Sequence, residues 1–177
     1  MAALEGADNR GGGVKVIIDS REQAPFAFQG EVYAGTICEV GALQSGDYSL
    51  GGLIDRVAVE RKSLPDLVAC LGRERDRFER ELQRARGLDA FLVVVEAPFE
   101  DLAKGNYRSQ LRPHAACQSV MAFAARYRVG FHFAGSRAAA EYSCWSFLRQ
   151  YLLGAERRLK EVVKAHGEAE SAGKGAA

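Results

Sequence analysis

The sequence predicts an α/β fold, a mixed central β-sheet flanked by helices, and three observations carry that expectation. Val14 to Asp19 and Phe91 to Glu96 are short, apolar, β-branched runs of the kind that form buried strands. The segments between them partly alternate and are broken by glycine turns. From Ser63 onward apolar residues recur at helical spacing, interrupted by further strand-like runs, so strands come first and helices then alternate with strands.

The first strand is Val14 to Asp19, VKVIID. Gly35 to Val40, Asp47 to Leu50 and Arg56 to Glu60 follow as short segments separated by turns such as Gly51-Gly52, which together read as a meander. Ser63 opens a helix: it stands three residues before Asp66 in capping-box order, and Pro65 sits in the first turn, where its missing N–H costs little. Leu64, Leu67, Val68, Leu71, Phe78 and Leu82 form one apolar stripe on that helix, which Gly87 ends. Phe91 to Glu96 is the next strand. Ser109 to Arg128 reads as a helix with Val120, Met121, Ala124 and Tyr127 along one stripe, and Gly130 to Phe133 as one more strand. A last helix, Arg137 to Val163, sets Trp145, Leu148, Tyr151 and Leu152 on one face, with an interruption expected at Gly154.

A chain of 177 residues, 47% of them hydrophobic, closes one core of ordinary size. The domain is expected over residues 14–165, between glycine-rich, aperiodic tails at 1–13 and 166–177 that read as disordered. A formal charge of +1 excludes a global field that would draw the molecule onto a polyanion, so nucleic-acid affinity requires a local patch. Cys38, Cys70, Cys117 and Cys144 form no C-x-x-C pair, which argues against structural zinc and a disulfide framework and for a cytoplasmic setting. No run approaches the ~18 apolar residues of a membrane span. No phosphate-binding G-x-x-x-x-G-K loop is present, so no nucleotide cofactor is expected. His114, His132 and His166 are not at ligand spacing.

The chemistry concentrates in Gly46-Asp47-Tyr48 and Val59-Glu60-Arg61-Lys62. On a strand, Glu60 and Lys62 share a face while Arg61 points away. Phosphodiester hydrolysis calls for a divalent cation that neutralises phosphate charge and acidifies a water, and Asp47 and Glu60 supply oxygen ligands for one. Lys62 is suited to orient or deprotonate the water and to stabilise the phosphate in the transition state. The bland reading is a charged strand edge. Asp19-Ser20-Arg21-Glu22 follows directly on the first strand, where strand ends of open α/β sheets line a crevice.

In order, the chain reads D-S-R-E, G-D-Y, then V-E-R-K-x-x-x-D, ending at Asp66. This set, at Asp19 to Glu22, Gly46, Asp47, Glu60, Arg61, Lys62 and Asp66, resembles the nuclease domain of the XPF family of structure-specific endonucleases, within the PD-(D/E)xK restriction-endonuclease-like superfamily. The likeness covers about Val14 to Leu153. It implies a restriction-endonuclease-like fold, cleavage of branched or flapped DNA with Mg²⁺ or Mn²⁺, and metal ligation by Asp47 and Glu60, with the Arg61 carbonyl a third candidate and Lys62 orienting water. Asp19 and Glu22 are candidates for completing the metal site, against the simpler reading of a turn cap and a solvated acid. Asp66 either caps its helix or orients Lys62 or Arg61. Arg21 and Arg61 pair with the acids or hold a phosphate.

Arg73, Arg77, Arg80 and Arg84 share a helical stripe that would either track a DNA backbone or form a solvated, salt-bridged face. The resemblance implies pairing through nuclease domains; the tandem helix-hairpin-helix domain that the family usually appends, which helps such proteins dimerise and grip DNA, is not matched here, so a separate DNA-gripping partner is the alternative to a homodimer. Trp145, Tyr142 and Tyr151, with Met121 and Tyr127, mark a core or homodimer face. The alternatives are a non-catalytic DNA-binding or scaffold subunit and a nuclease of the same fold acting on other nucleic acid.

Overall fold

The computed structural model describes residues 13–174, with side chains up to His166. The tail expected at 1–13 falls almost entirely outside the described residues. Six strands form one sheet in the order β2-β1-β3-β4-β5-β6. They are β1 (Lys15–Asp19), β2 (Ile37–Gly41), β3 (Tyr48–Leu50), β4 (Val57–Lys62), β5 (Ala90–Val95) and β6 (Gly130–Phe133). β1 pairs antiparallel with β3 and β3 with β4, whereas β4, β5 and β6 run parallel. The sheet is therefore mixed, as the sequence predicts.

β2 departs from the expected meander: it lies outside β1 and parallel to it. The crossing segment, residues 20–36, is long enough to return to the sheet edge and is anchored on the way. Phe26 stacks on Tyr48 at 5.1 Å between ring centroids, Phe28 meets Tyr33 and Tyr48 edge-on, and the Tyr48 hydroxyl accepts the Phe26 N–H.

One face of the sheet carries α1 (Leu64–Leu71), α2 (Arg75–Ala85) and α4 (Pro113–Tyr127), packed over Ala58, Phe91, Val93 and Val95. The other carries α5 (Arg137–Lys174), whose Ala140, Cys144 and Leu148 are buried against Val57, Val59 and Val94. The result is three layers. Strand alternation decides which side chains enter which core: Ala58 faces the first and Val57 and Val59 the second.

The helix expected from Ser63 to Gly87 is two helices. Ser63 caps α1, but the apolar stripe has a gap between Leu71 and Phe78, and Gly72 offers poor helix propensity inside it. The chain turns there, with the Glu74 N–H on the Ala69 carbonyl, and α2 restarts to bury Phe78 and Leu82. A short helix not anticipated, α3 (Phe99–Lys104), ends at Gly105 in the left-handed conformation, φ 75°. α4 begins at Pro113 rather than Ser109, whose hydroxyl instead caps a local turn at Leu111. Its buried stripe is Ala116, Val120, Phe123 and Tyr127; Met121 is 52% exposed.

Gly154 does not interrupt α5. Its neighbours are good helix formers and nothing packs where a side chain would be, so the helix passes through. The helix also continues through Lys174, where the sequence reads an unstructured tail from His166. Trp145 donates to the Thr36 hydroxyl and Tyr151 to Asp89, so much of the aromatic face of α5 serves the fold rather than an external surface. Among the described residues, no helix is long and apolar enough to cross a membrane.

Candidate active site

β4 ends beside a cleft of about 410 Å³. Glu60 and Lys62 point to the α1–α2 side of the sheet, Arg61 to the other, as the period of two requires. Glu60 is only 4% exposed and forms an ion pair with Lys62, whose ammonium lies 5.6 Å from the centroid of the Phe78 ring. Asp47 enters from the loop ahead of β3. Its N–H donates to the Val59 carbonyl at 2.8 Å, and one of its carboxylate oxygens accepts the Arg61 N–H at 2.8 Å. That close approach explains Gly46: its φ is +79°, and a Cβ there would lie 2.9 Å from the Ala58 Cβ and 3.0 Å from the Val59 oxygen. The G-D dipeptide is thus a packing requirement as well as a chemical one.

Burial pushes the Asp47 carboxyl up to about 6, against the counteracting Arg61 N–H and Lys62. Burial likewise raises Glu60 well above the ordinary carboxylate range, and the Asp47 charge adds to it. Burial alone would lower Lys62, but the Glu60 carboxylate outweighs it and holds the ammonium above its usual value. Asp47 Oδ1 and Glu60 Oε2 accept no hydrogen bond, and neither is a fully buried orphan, so both remain reachable from the cleft. Two oxygen donors at a site with room for water fit a hard divalent cation, which keeps several waters of its own. Among the described residues, no three His, Cys, Asp or Glu side chains are grouped closely enough to hold an ion by themselves.

Asp19 lines the cleft with its carboxylate already committed. It accepts the Arg21 backbone N–H, Arg21 Nε at 2.7 Å and Nη2 at 3.0 Å, and the Leu43 N–H at 2.8 Å. The Arg21 hydrogen bonds hold it below the usual range despite burial. Glu22 does not line the cleft. It accepts both Arg61 Nε and Nη2, and Arg61 also reaches Glu96, which binds Arg137 of α5. Burial opposes ionisation of Glu22, but the Arg61 hydrogen bonds prevail and its carboxyl is lowered. The Arg61 side chain therefore ties the segment after β1 to β4, β5 and α5, while its backbone N–H orients Asp47.

The Ser63 hydroxyl oxygen accepts the Asp66 N–H and caps α1, while the Asp66 carboxylate accepts that hydroxyl at 2.6 Å and bonds neither Lys62 nor Arg61. Of the four arginines in the expected stripe, Arg77, Arg80 and Arg84 line the cleft along α2, together with Arg21. Arg73 does not: it falls in the break between α1 and α2, beside Glu74. Gln44, Ser45 and Glu81 also line the cleft and were not singled out from sequence. Glu81 was detectable, being four residues after Arg77 on the same face.

The mixed six-stranded sheet with helices on both faces defines a restriction-endonuclease-like α/β domain. A model of the ERCC4 domain matches residues 18–144, and the chain belongs to that family. Among solved structures it is similar to XPF from Aeropyrum pernix: TM-score 0.62 at 21% identity, covering 85% of this chain and 69% of that one. A second structure, XPF from Aeropyrum pernix in complex with DNA, gives TM-score 0.61 at 19% identity over 80% and 66% of the two chains. The chain thus spans about two thirds of each. No curated protein matches it.

Proposed function

We propose that this chain is a divalent-metal-dependent endonuclease that hydrolyses phosphodiester bonds in branched, flapped or otherwise structured DNA. The carrying observation is that Asp47 and Glu60 lie beside Lys62 in a cleft rimmed by Arg21, Arg77, Arg80 and Arg84. Family membership and the DNA-bound neighbour support the same reading.

Asp47 and Glu60 hold Mg²⁺ or Mn²⁺, which supplies charge neutralisation at the phosphate and a more acidic water. Lys62, ion-paired with Glu60 and held above its usual value in the cation-free chain, acts as a hydrogen-bond donor that orients water and phosphate. The arginines of α2 contact backbone phosphates, leaving Asp19 to fix Arg21 toward the same strand. Arg61, Glu22 and Asp66 support the site by position. A homodimer or a separate DNA-gripping protein extends the contact surface.

The test is cleavage of labelled duplex, flap, fork and single-stranded DNA by purified chain with Mg²⁺ or Mn²⁺, beside Asp47→Ala. The expected outcome is metal-dependent cutting that is strongest on a flap or fork and abolished in the variant. Equal cutting by Asp47→Ala, or none with either metal, overturns the reading; binding without cleavage would leave a scaffold subunit.

A further inference from the structure

Glu81 is a carboxylate of the cleft that lies outside the strand motif and outside any ion pair. It stands on α2 four residues after Arg77 and three before Arg84, spacings at which helical pairs usually form. Arg77 instead bonds Glu74. No hydrogen bond or salt bridge is found for Glu81 among the described residues, yet it is partly buried and lines the cleft with Asp47, Glu60 and Lys62. Its charge acts on all three of those groups. Its carboxylate faces two acids, whose like charge it repels, and cations such as Arg21 and Arg77, yet it is hydrogen-bonded to none of them.

Among the described residues no three His, Cys, Asp or Glu side chains are grouped to hold an ion together, so Glu81 is placed outside the cation's direct ligands. A hard divalent cation retains several waters, and a bound water is a strong hydrogen-bond donor. Resting on Asp47 and Glu60 as the cation ligands, we propose that Glu81 is a positioning residue for that cation, accepting a hydrogen bond from a water in its coordination shell. Such an acceptor fixes the orientation of the water and adds negative charge one layer out. The competing reading, a surface glutamate that only balances the arginine row, makes no demand on cation affinity.

The experiment is titration of the full chain with Mn²⁺ in the absence of DNA, free Mn²⁺ being read by electron paramagnetic resonance. Wild type, Glu81→Gln, Asp76→Asn and Asp47→Asn are compared, with circular dichroism to confirm that each is folded. Asp76 is an exposed acid on the same helix that does not line the cleft, so it controls for loss of charge. We expect affinity to fall about 10-fold in Glu81→Gln and to vanish in Asp47→Asn, with Asp76→Asn unchanged. Glu81→Gln binding Mn²⁺ like wild type, while Asp47→Asn does not bind, overturns the role of Glu81 alone. An equal loss in Asp76→Asn reduces Glu81 to bulk charge and overturns it too. Undiminished binding by Asp47→Asn, or none by wild type, overturns the cation site and this inference with it.

Discussion

Without a cation, Asp47 and Glu60 set two poorly solvated carboxyls side by side, a geometry that works against the fold. Asp47 sits at about 6 in the folded protein against an ordinary 3.8. A carboxyl raised on folding lends stability fully below its unfolded value and loses it as pH rises through the folded one. The cation-free protein should therefore lose stability between about pH 4 and pH 7, by roughly 2 kcal/mol from Asp47 after allowing for solvent in the cleft. Asp47→Asn should raise Tm at pH 7.5 and flatten this dependence, and Mn²⁺ should stabilise wild type but not the variant. Thermal unfolding from pH 4 to 8 with and without Mn²⁺ checks this; a variant less stable than wild type at pH 7.5 would refute it. Lys62 titrates far above this window and does not contribute to it.

α2 brings cations to the cleft, but it does so only because α1 stops at Leu71. Had the helix run continuously, Arg73 would have joined the row; the break instead leaves Arg77, Arg80 and Arg84 on the wall. If those residues contact phosphates, Arg77→Glu with Arg84→Glu should lower the slope of log binding constant against log salt by roughly 2, with Arg73→Glu leaving it unchanged. Fluorescence anisotropy on a flap substrate at several salt concentrations measures it, and equal slopes in all three proteins would exclude α2 as the DNA track. β4 shows a second division at this scale. One strand feeds the cleft with Glu60 and Lys62 and the opposite face with Arg61, so the E-R-K tripeptide serves chemistry and cohesion at once.

For the molecule as a whole, α5 is two things. Up to Leu152 it packs on the sheet; beyond it Leu159, Val162 and Val163 are exposed, Val163 at 62%. Ending the chain after Gly154 should then cost less than about 1 kcal/mol in urea unfolding, whereas Leu148→Ala should cost about 2–5 kcal/mol. A large loss on truncation would reveal packing by the distal helix. The sequence by itself determined the mixed sheet, the buried strands, the Ser63 cap and the shared face of Glu60 and Lys62, because periodicity, capping and a strand's alternation are local rules. Tertiary structure alone decided the rest. It placed β2 parallel at the edge through the Phe26–Tyr48 anchor, committed Glu22 to Arg61, and brought Glu81 to the cleft of the acids. Each of these depends on contacts between residues far apart in the chain or on competition among partners for one charge, which spacing along a sequence does not encode.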